Sequence, residues 1–116
     1  MIAFIYSFNN FTSTWNLNAS LTSPAGGSHD NFGTSVSIYN NTVVIGASTV
    51  GSHEHGEVYI YHYNNNTFQW ELFTTLHSIG GDYTYFGSSV QIYENKLIIG
   101  APDQLPNLFT NGPGKL

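Results

Sequence analysis

Hydrophobic residues in this 116-residue chain recur at every second position over short runs, which are separated by stretches rich in Gly, Asn and Ser. Period-two alternation bounded by turn residues is typical of short β-strands. Four such runs follow one another between Phe32 and Leu76, namely FGTSVSIY, TVVIGA, EVYIYHY and WELFTTL. The pattern therefore predicts an all-β chain of short antiparallel strands joined by turns.

The third and fourth runs differ in the character of their faces. Both faces of the third run are largely apolar or aromatic, as in a strand that is covered on both sides. They carry Val58, Ile60 and His62 on one side and Tyr59, Tyr61 and Tyr63 on the other. The fourth run has the pattern of a half-exposed edge strand. We expect Trp70, Leu72, Thr74 and Leu76 on its apolar face, opposite Glu71 and Thr75.

The chain repeats itself with a period of about 54 residues. FGTSVSIYNNTVVIGAS, at 32–48, returns as FGSSVQIYENKLIIGAP, at 86–102, with 10 of the first 16 positions identical. AFIYSFNN likewise aligns with VYIYHYNN, and WNLNASL with WELFTTL. Self-similarity at this period indicates stacked units that bury their faces against one another.

Four short antiparallel strands in each unit are typical of a β-propeller blade. Counted in this way, the chain is an all-β propeller segment over 1–116 with one complete blade at 32–76. Strands three and four of the preceding blade lie at 3–21, and strands one and two of the next lie at 86–101. We expect the chain to be a fragment of a longer array, whose half blades are completed by further repeats in cis or by copies of itself in trans.

The amino-acid composition limits which classes of partner and chemistry are expected. The net charge is -5, only 8% of the residues are charged, and Lys96 and Lys115 are the only Lys or Arg residues. Two cations cannot neutralise a row of phosphates, so nucleic acid is excluded as the expected partner. The chain has no Cys, which excludes disulfide, zinc-thiolate and thiol chemistry. No apolar run approaches the roughly 20 residues of a membrane span, and no signal peptide is recognisable.

The recurring elements resemble the FG-GAP repeat, which is the blade unit of the integrin α-subunit head. The resemblance covers nearly the whole chain. It rests on the signature residues Phe32, Gly33, Gly46, Ala47, Phe86, Gly87, Gly100, Ala101 and Pro102, followed by Gly-x-Val-Tyr-Ile-Tyr and by Trp15 or Trp70. It implies an integrin alpha-like β-propeller in which the two Phe residues wedge between blades and the glycines permit close backbone approach. We interpret both Trp residues as blade packing.

Calcium is the one family trait that the sequence departs from. Integrin-like blades that bind calcium carry an Asp-rich loop between their first two strands, where several oxygens can surround the ion. The link here is only Asn40-Asn41 in one unit and Glu94-Asn95 in the other. We therefore expect no calcium at that position and no other cofactor, and we interpret the single carboxylate of Asp103 as a turn cap.

No other motif points to chemistry. His53, Glu54 and His55 form a weak metal-binding candidate that lacks a third convergent ligand outside its own loop. No nucleophile elbow, phosphate-cradling loop or paired carboxylates at informative spacing are present, and His29-Asp30 is not repeated in the next unit. We expect no catalytic residues and no enzymatic activity.

Four sequons make Asn10, Asn18, Asn40 and Asn65 candidates for N-glycosylation, and Asn10 and Asn65 occupy equivalent turns. With the resemblance, they favour an extracellular or cell-surface glycoprotein. The leading hypothesis is a non-enzymatic module whose loops bind a protein or glycan ligand. The alternative is a scaffold or a polysaccharide-binding segment within a larger extracellular enzyme.

Overall fold

The computed structural model describes residues 1–26, 29–50, 55–79 and 83–102, and it contains only β-strands and turns in these ranges. The all-β, antiparallel fold class predicted from the sequence is confirmed. The strands are β1 (Ile2–Asn9), β2 (Thr14–Thr22), β3 (Phe32–Tyr39), β4 (Thr42–Ala47), β5 (Glu57–Asn64), β6 (Gln69–His77), β7 (Ser89–Tyr93) and β8 (Lys96–Gly100).

The strands form three antiparallel sheets in chain order. β1 and β2 make an amino-terminal hairpin, β3 to β6 make a four-stranded central sheet in the order β3-β4-β5-β6, and β7 and β8 make a carboxyl-terminal hairpin. By the repeat, β1 and β2 correspond to β5 and β6, while β7 and β8 correspond to β3 and β4.

The turn between β3 and β4 is tight because its first residue accepts a left-handed backbone. Asn40 has φ 52, and Glu94, at the equivalent position between β7 and β8, has φ 54. Asn tolerates this conformation better than most residues other than Gly, whereas Glu gains no such compensation. The same turn therefore occurs twice, once with a residue that favours the left-handed conformation and once with a residue that does not.

The turns of the other hairpins are also repeated. The side-chain Oδ1 of Asn9 accepts the N–H groups of Phe11 and Thr12, at 2.8 and 3.2 Å. The Asn64 Oδ1 atom does the same for Asn66 and Thr67, at 2.8 and 3.3 Å. Since these side chains replace backbone acceptors, each Asn fixes the path of its turn.

A β-bulge in β6, the fourth strand of the central sheet, places its side chains on other faces than the sequence predicted. Ile60 pairs with Thr74 but Tyr61 pairs with Leu72, so Phe73 is an extra residue that reverses the alternation. Trp70 and Leu72 consequently share a face with Tyr61, whereas Thr74 and Leu76 lie on the opposite face. The prediction that all four lie on one face was wrong because one inserted residue exchanges the faces downstream of it.

We call the face of the central sheet that carries Tyr59 and Tyr61 the tyrosine face. The amino-terminal hairpin packs on it through Ala3, Ile5 and Leu21. The buried cluster beneath consists of Phe32, Val43, Ile45, Ala47, Tyr59 and Tyr61. The ring of Phe32 lies 5.7 Å from that of Tyr59, so this Phe fills the space between two sheets.

We call the opposite face, which carries the fully buried Val44 and Val58, the valine face. The carboxyl-terminal hairpin covers this face. Two serines of β3 form hydrogen bonds to the backbone of the hairpin and hold it in place. Ser35 Oγ donates to the carbonyl of Gly87 at 2.7 Å, and the N–H of Ile92 donates to Ser37 Oγ at 3.1 Å. The central sheet is thus covered on both sides by neighbouring units.

The second copy of the signature differs at its start. β7 begins at Ser89, whereas the equivalent β3 begins at Phe32, so Phe86 lies in a turn and not in the strand expected from 86 onward. The Phe86 N–H donates to the carbonyl of His55 at 3.1 Å, towards the preceding unit. The Phe32 N–H instead donates to the Asp30 carboxylate at 3.0 Å.

Glycine at position 46 allows the sheets to approach. A Cβ built on Gly46 would overlap the carbonyl oxygen of Gly87, and one built on Gly87, whose φ is +95, would lie 2.8 Å from the Glu57 carbonyl oxygen. Backbone meets backbone here, so neither neighbour can rotate away. The contact requires residues without a side chain.

Replacing Gly46 with Ala should therefore destabilise the fold by about 1–3 kcal/mol, because the added methyl group forces the sheets apart. The intrinsic effect of Gly→Ala in a strand has the opposite sign, a gain of roughly 0.5–1 kcal/mol. Urea unfolding monitored by Trp fluorescence measures the difference. Equal or greater stability of Gly46→Ala would contradict the close contact.

Candidate functional site

A shallow groove runs beside the turn of the amino-terminal hairpin. Its volume is about 400 Å³. It is lined by Ser7, Phe8, Asn9, Asn10, Phe11, Asn16, Leu17 and Asn18. Phe11 is almost completely exposed at the turn. The groove therefore combines aromatic and aliphatic surface with several side-chain amides.

A second groove lies at the corresponding place on the central sheet. Its volume is about 300 Å³, and it is lined by His62, Tyr63, Asn64, Glu71, Leu72 and Phe73. These residues are related by 55 positions to six of those that line the first groove. The groove is thus a feature of the repeat unit, and it stays open on the sheet that has neighbours on both faces.

The aromatic wall of each groove has the same support. Phe8 meets Trp15 edge-on, with ring centroids 5.2 Å apart, and Tyr63 meets Trp70 in the same way at 5.3 Å. Edge-to-face contacts of this kind restrain ring orientation. Trp15 and Trp70 were interpreted as packing residues, and in the structure each contacts the ring that walls a groove.

On the polar side of the central-sheet groove, Glu71 accepts two side-chain hydrogen bonds. Asn64 Nδ2 donates to Glu71 Oε1 at 3.1 Å, and Thr67 Oγ1 donates to Glu71 Oε2 at 3.2 Å. In the amino-terminal hairpin, Thr14 Oγ1 donates to Asn16 Oδ1 at 3.0 Å. The two grooves share their position in the unit and their aromatic wall, but one carries a carboxylate where the other carries an amide.

The weak metal-binding candidate is only partly within the described residues. His53 and Glu54 lie outside them, as does Asp103. His55 is described, and its carbonyl oxygen accepts the Thr84 hydroxyl at 2.7 Å. Across the described ranges, no three His, Asp or Glu side chains converge to hold a metal ion.

Asp30 is a buried residue whose role sequence reasoning missed. Its carboxylate accepts the Phe32 N–H and the hydroxyl of Ser23, and its backbone oxygen accepts the Thr49 N–H at 3.2 Å. It thereby fixes the loop before β3 rather than forming a dyad with His29. The only available signal was its position two residues before Phe32, since the equivalent residue is Thr84.

A second polar cluster lies at the start of β5. Glu57 accepts the Tyr59 hydroxyl at 2.6 Å and pairs with His77 Nδ1 at 3.0 Å. Burial, the bond to Glu57 and the charges of Glu57 and Asp30 raise the pKa of Tyr59. Burial alone raises the pKa of Tyr61 to about 12. Both phenols are therefore held neutral beneath the amino-terminal hairpin.

The four sequon residues Asn10, Asn18, Asn40 and Asn65 are all exposed. Asn10 and Asn65 lie in the equivalent turns that follow β1 and β5. The Asn18 side chain also accepts a hydrogen bond from Trp70 Nε1 at 3.0 Å, which ties the amino-terminal hairpin to the central sheet.

The raised phenol pKa values predict alkaline destabilisation. A tyrosine whose folded pKa is raised stabilises the fold below its unfolded value, near pH 10, and this stabilisation is lost as pH rises towards 12. We expect Tyr61→Phe to reduce the slope of unfolding free energy against pH in this window by about 1.4 kcal/mol per pH unit. Urea unfolding of both proteins from pH 8 to 12 tests this, and parallel curves would contradict it.

The tight Asn40-Asn41 turn predicts that folding does not depend on calcium. The melting temperature measured by circular dichroism should stay within about 2 °C when a chelator replaces added calcium, since a ligand that binds only the folded state would raise it. A fall of more than a few degrees in chelator would show a site that involves other residues.

Comparison with known families agrees with the repeat. Residues 15–61 match the model of the FG-GAP repeat. This match begins at Trp15 in β2 and ends at Tyr61 in β5, so it spans the inter-sheet contact on the tyrosine face. No curated protein and no solved structure shows a significant match to the chain. Together with the antiparallel strands of the described residues, this match identifies residues 15–61 as an FG-GAP repeat.

Proposed function

We propose that this chain is a non-enzymatic extracellular interaction module that binds glycan chains through the repeated grooves of its units. The observation that carries the proposal is the recurrence of one groove, with an aromatic wall and polar rim, at positions 55 residues apart. A packing defect has no reason to recur with its supporting Trp contact intact.

The chemistry of the grooves suits sugars. The apolar face of a pyranose stacks on an exposed aromatic ring, and its hydroxyl groups bond to neighbouring amides and carboxylates. Phe8 and Tyr63 supply the rings. Asn16 and Glu71 supply the polar groups at equivalent positions on the facing strand.

Charge favours a neutral glycan over an acidic one. The net charge is -5, and Glu71 lies in the groove of the central sheet. A sulfated or uronic acid chain would meet like charge there, which disfavours association. Two grooves on one chain also favour a polymeric ligand, because the second contact becomes intramolecular once the first has formed.

The family match and the sequons support an extracellular setting. FG-GAP repeats are typically extracellular, and the sequons at Asn10 and Asn65 lie in exposed turns. Within the described ranges there is no helix of the length and apolarity that crossing a membrane requires. The further FG-GAP repeats that we expect as partners, in cis or in trans, would extend the row of grooves.

The same groove supports the alternative, in which the chain is a polysaccharide-binding segment or scaffold of a larger extracellular enzyme. In that case the grooves would hold the polymer while another domain acts on it. A protein ligand is the other outcome of the test below, since aromatic turn residues such as Phe11 also suit protein contacts.

Titration of unglycosylated protein with cellohexaose and chitohexaose, two neutral oligosaccharides, tests the proposal. We expect binding to change Trp fluorescence. The double variant Phe8→Ala with Tyr63→Ala should weaken binding about tenfold or more, as truncation of an aromatic anchor does. Phe4→Ala is the matched control, because Phe4 is exposed on the same strand and lies outside both grooves.

Calorimetry on the same samples measures the affinity directly. Absence of binding to either oligosaccharide would contradict the glycan proposal and leave a protein ligand as the explanation. Equal losses in the double variant and in Phe4→Ala would show that the grooves are not the site.

A further inference from the structure

Two strand edges have no partner among the described residues. β1 pairs only with β2, and β8 pairs only with β7. In the central sheet, the equivalent strands β5 and β4 pair with each other along all of β4, from Thr42 opposite His62 to Ala47 opposite Glu57. Each hairpin is therefore one half of a sheet whose other half the same chain carries at its opposite end.

We propose that two copies of this chain associate by pairing β8 of one copy with β1 of the next, which completes a four-stranded sheet in the order β7-β8-β1-β2. This goes beyond the proposed glycan binding and does not depend on it. The partner is a second copy because this chain supplies both halves, each with the residue pattern of the completed central sheet.

The repeat fixes the register of the new pairing. In the central sheet, Val43 pairs with Tyr61 and Ile45 pairs with Tyr59. The corresponding pairs are Leu97 with Tyr6 of the second copy, Ile98 with Ile5, and Ile99 with Phe4. All of these positions lie within strands that the structure already contains.

Exposure at matched positions shows what the pairing would cover. Ile98 is 71% exposed, whereas its equivalent Val44 is fully buried. Tyr6 is 54% exposed, and its equivalent Tyr61 is only 5% exposed. The residues have the same character, but those in the hairpins lack the neighbours that bury their counterparts.

An apolar groove marks where the second copy would sit. It has a volume of about 240 Å³ and runs along β1 beside β3 and β4. Val36 and Ile38 line it and are more than half exposed. Their equivalents Val90 and Ile92 lie on the side of β7 that covers the valine face. Ile98 of an adjoining copy would enter this groove.

The other contacts between the central sheet and the carboxyl-terminal hairpin have equivalents at the proposed interface between copies. Within the chain, the rings of Tyr39 and Tyr93 meet edge-on at 5.1 Å. Between copies, the exposed Tyr93 would meet Tyr39 of the next chain. Ser89, the equivalent of Ser35, would donate to the Gly33 carbonyl as Ser35 does to Gly87. The new interface thus repeats one that the chain already forms internally.

The described residues of each copy form eight strands, enough for two four-stranded sheets. A head-to-tail contact of this kind closes when the rotation between copies divides the circle. Since propellers hold about four to eight sheets, closure requires two to four copies.

Engineered cysteines test the register, since the chain has no native Cys. Tyr6 and Leu97 lie on opposite sides of the central sheet, roughly 20 Å apart at two sheet spacings, so a disulfide between them must join different chains. Tyr6→Cys with Leu97→Cys should give covalent oligomers in high yield under mild oxidation. Phe8→Cys with Leu97→Cys, on the same face but two residues out of register, should give less than a tenth of that yield.

Light scattering on the unmodified chain should give a discrete mass of two to four times 12.8 kDa. Ile98→Lys should reduce this to the monomer, because the lysine charge would be buried in the apolar groove. Ile79→Lys, at a fully exposed position in neither hairpin, should leave the mass unchanged. Circular dichroism checks that both variants remain β-rich.

A monomeric, polydisperse or unfolded native chain would overturn the proposal, and so would equal cross-linking by the two cysteine pairs. A folded monomer, or equal cross-linking by the two pairs, leaves the oligosaccharide titration unaffected, because the grooves belong to single units. An unfolded chain, which circular dichroism identifies, would remove the grooves as well. Failure of the assembly proposal and failure of the glycan proposal are therefore distinguishable.

Discussion

The architecture depends on one backbone contact between neighbouring sheets, at Gly46 and Gly87. Because no side chain intervenes, the carboxyl-terminal hairpin lies close enough for Ser35 to bond to the Gly87 carbonyl and for Val44 and Val58 to lose all contact with water. Hydrophobic burial stabilises this stack, but close backbone approach determines its geometry. The two signature glycines therefore determine the distance between the two sheets.

The other local features of the unit are repeated along the chain. The left-handed turn residue, the Asn-capped turn, the edge-on Trp contact and the β-bulge each occur twice at equivalent positions. A unit that cannot bury both of its faces alone obtains burial from the next unit in line. The outermost hairpins have too few neighbours, and their exposed aromatic and aliphatic residues follow directly from that shortage.

The sequence predicted the strands and the tight turns because alternation and Asn-containing turns are local signals. It did not predict the bulge at Phe73, since a single inserted residue leaves no local mark and only pairing with Ile60 and Tyr61 reveals it. Asp30 and the grooves were missed for a related reason. The bonds of Asp30 and the lining of each groove join residues from different segments, so neither is visible before the strands are paired.

The central claim is that the central sheet and the carboxyl-terminal hairpin stack through the backbone contact between Gly46 and Gly87. Nuclear Overhauser spectroscopy of the isotopically labelled chain tests it most directly, because cross-peaks report protons within about 5 Å, little more than ordinary van der Waals contact. The account predicts cross-peaks between the Gly46 and Gly87 α protons and between the rings of Tyr39 and Tyr93. Intact cross-strand peaks within each sheet, with none between Gly46 and Gly87, would contradict it.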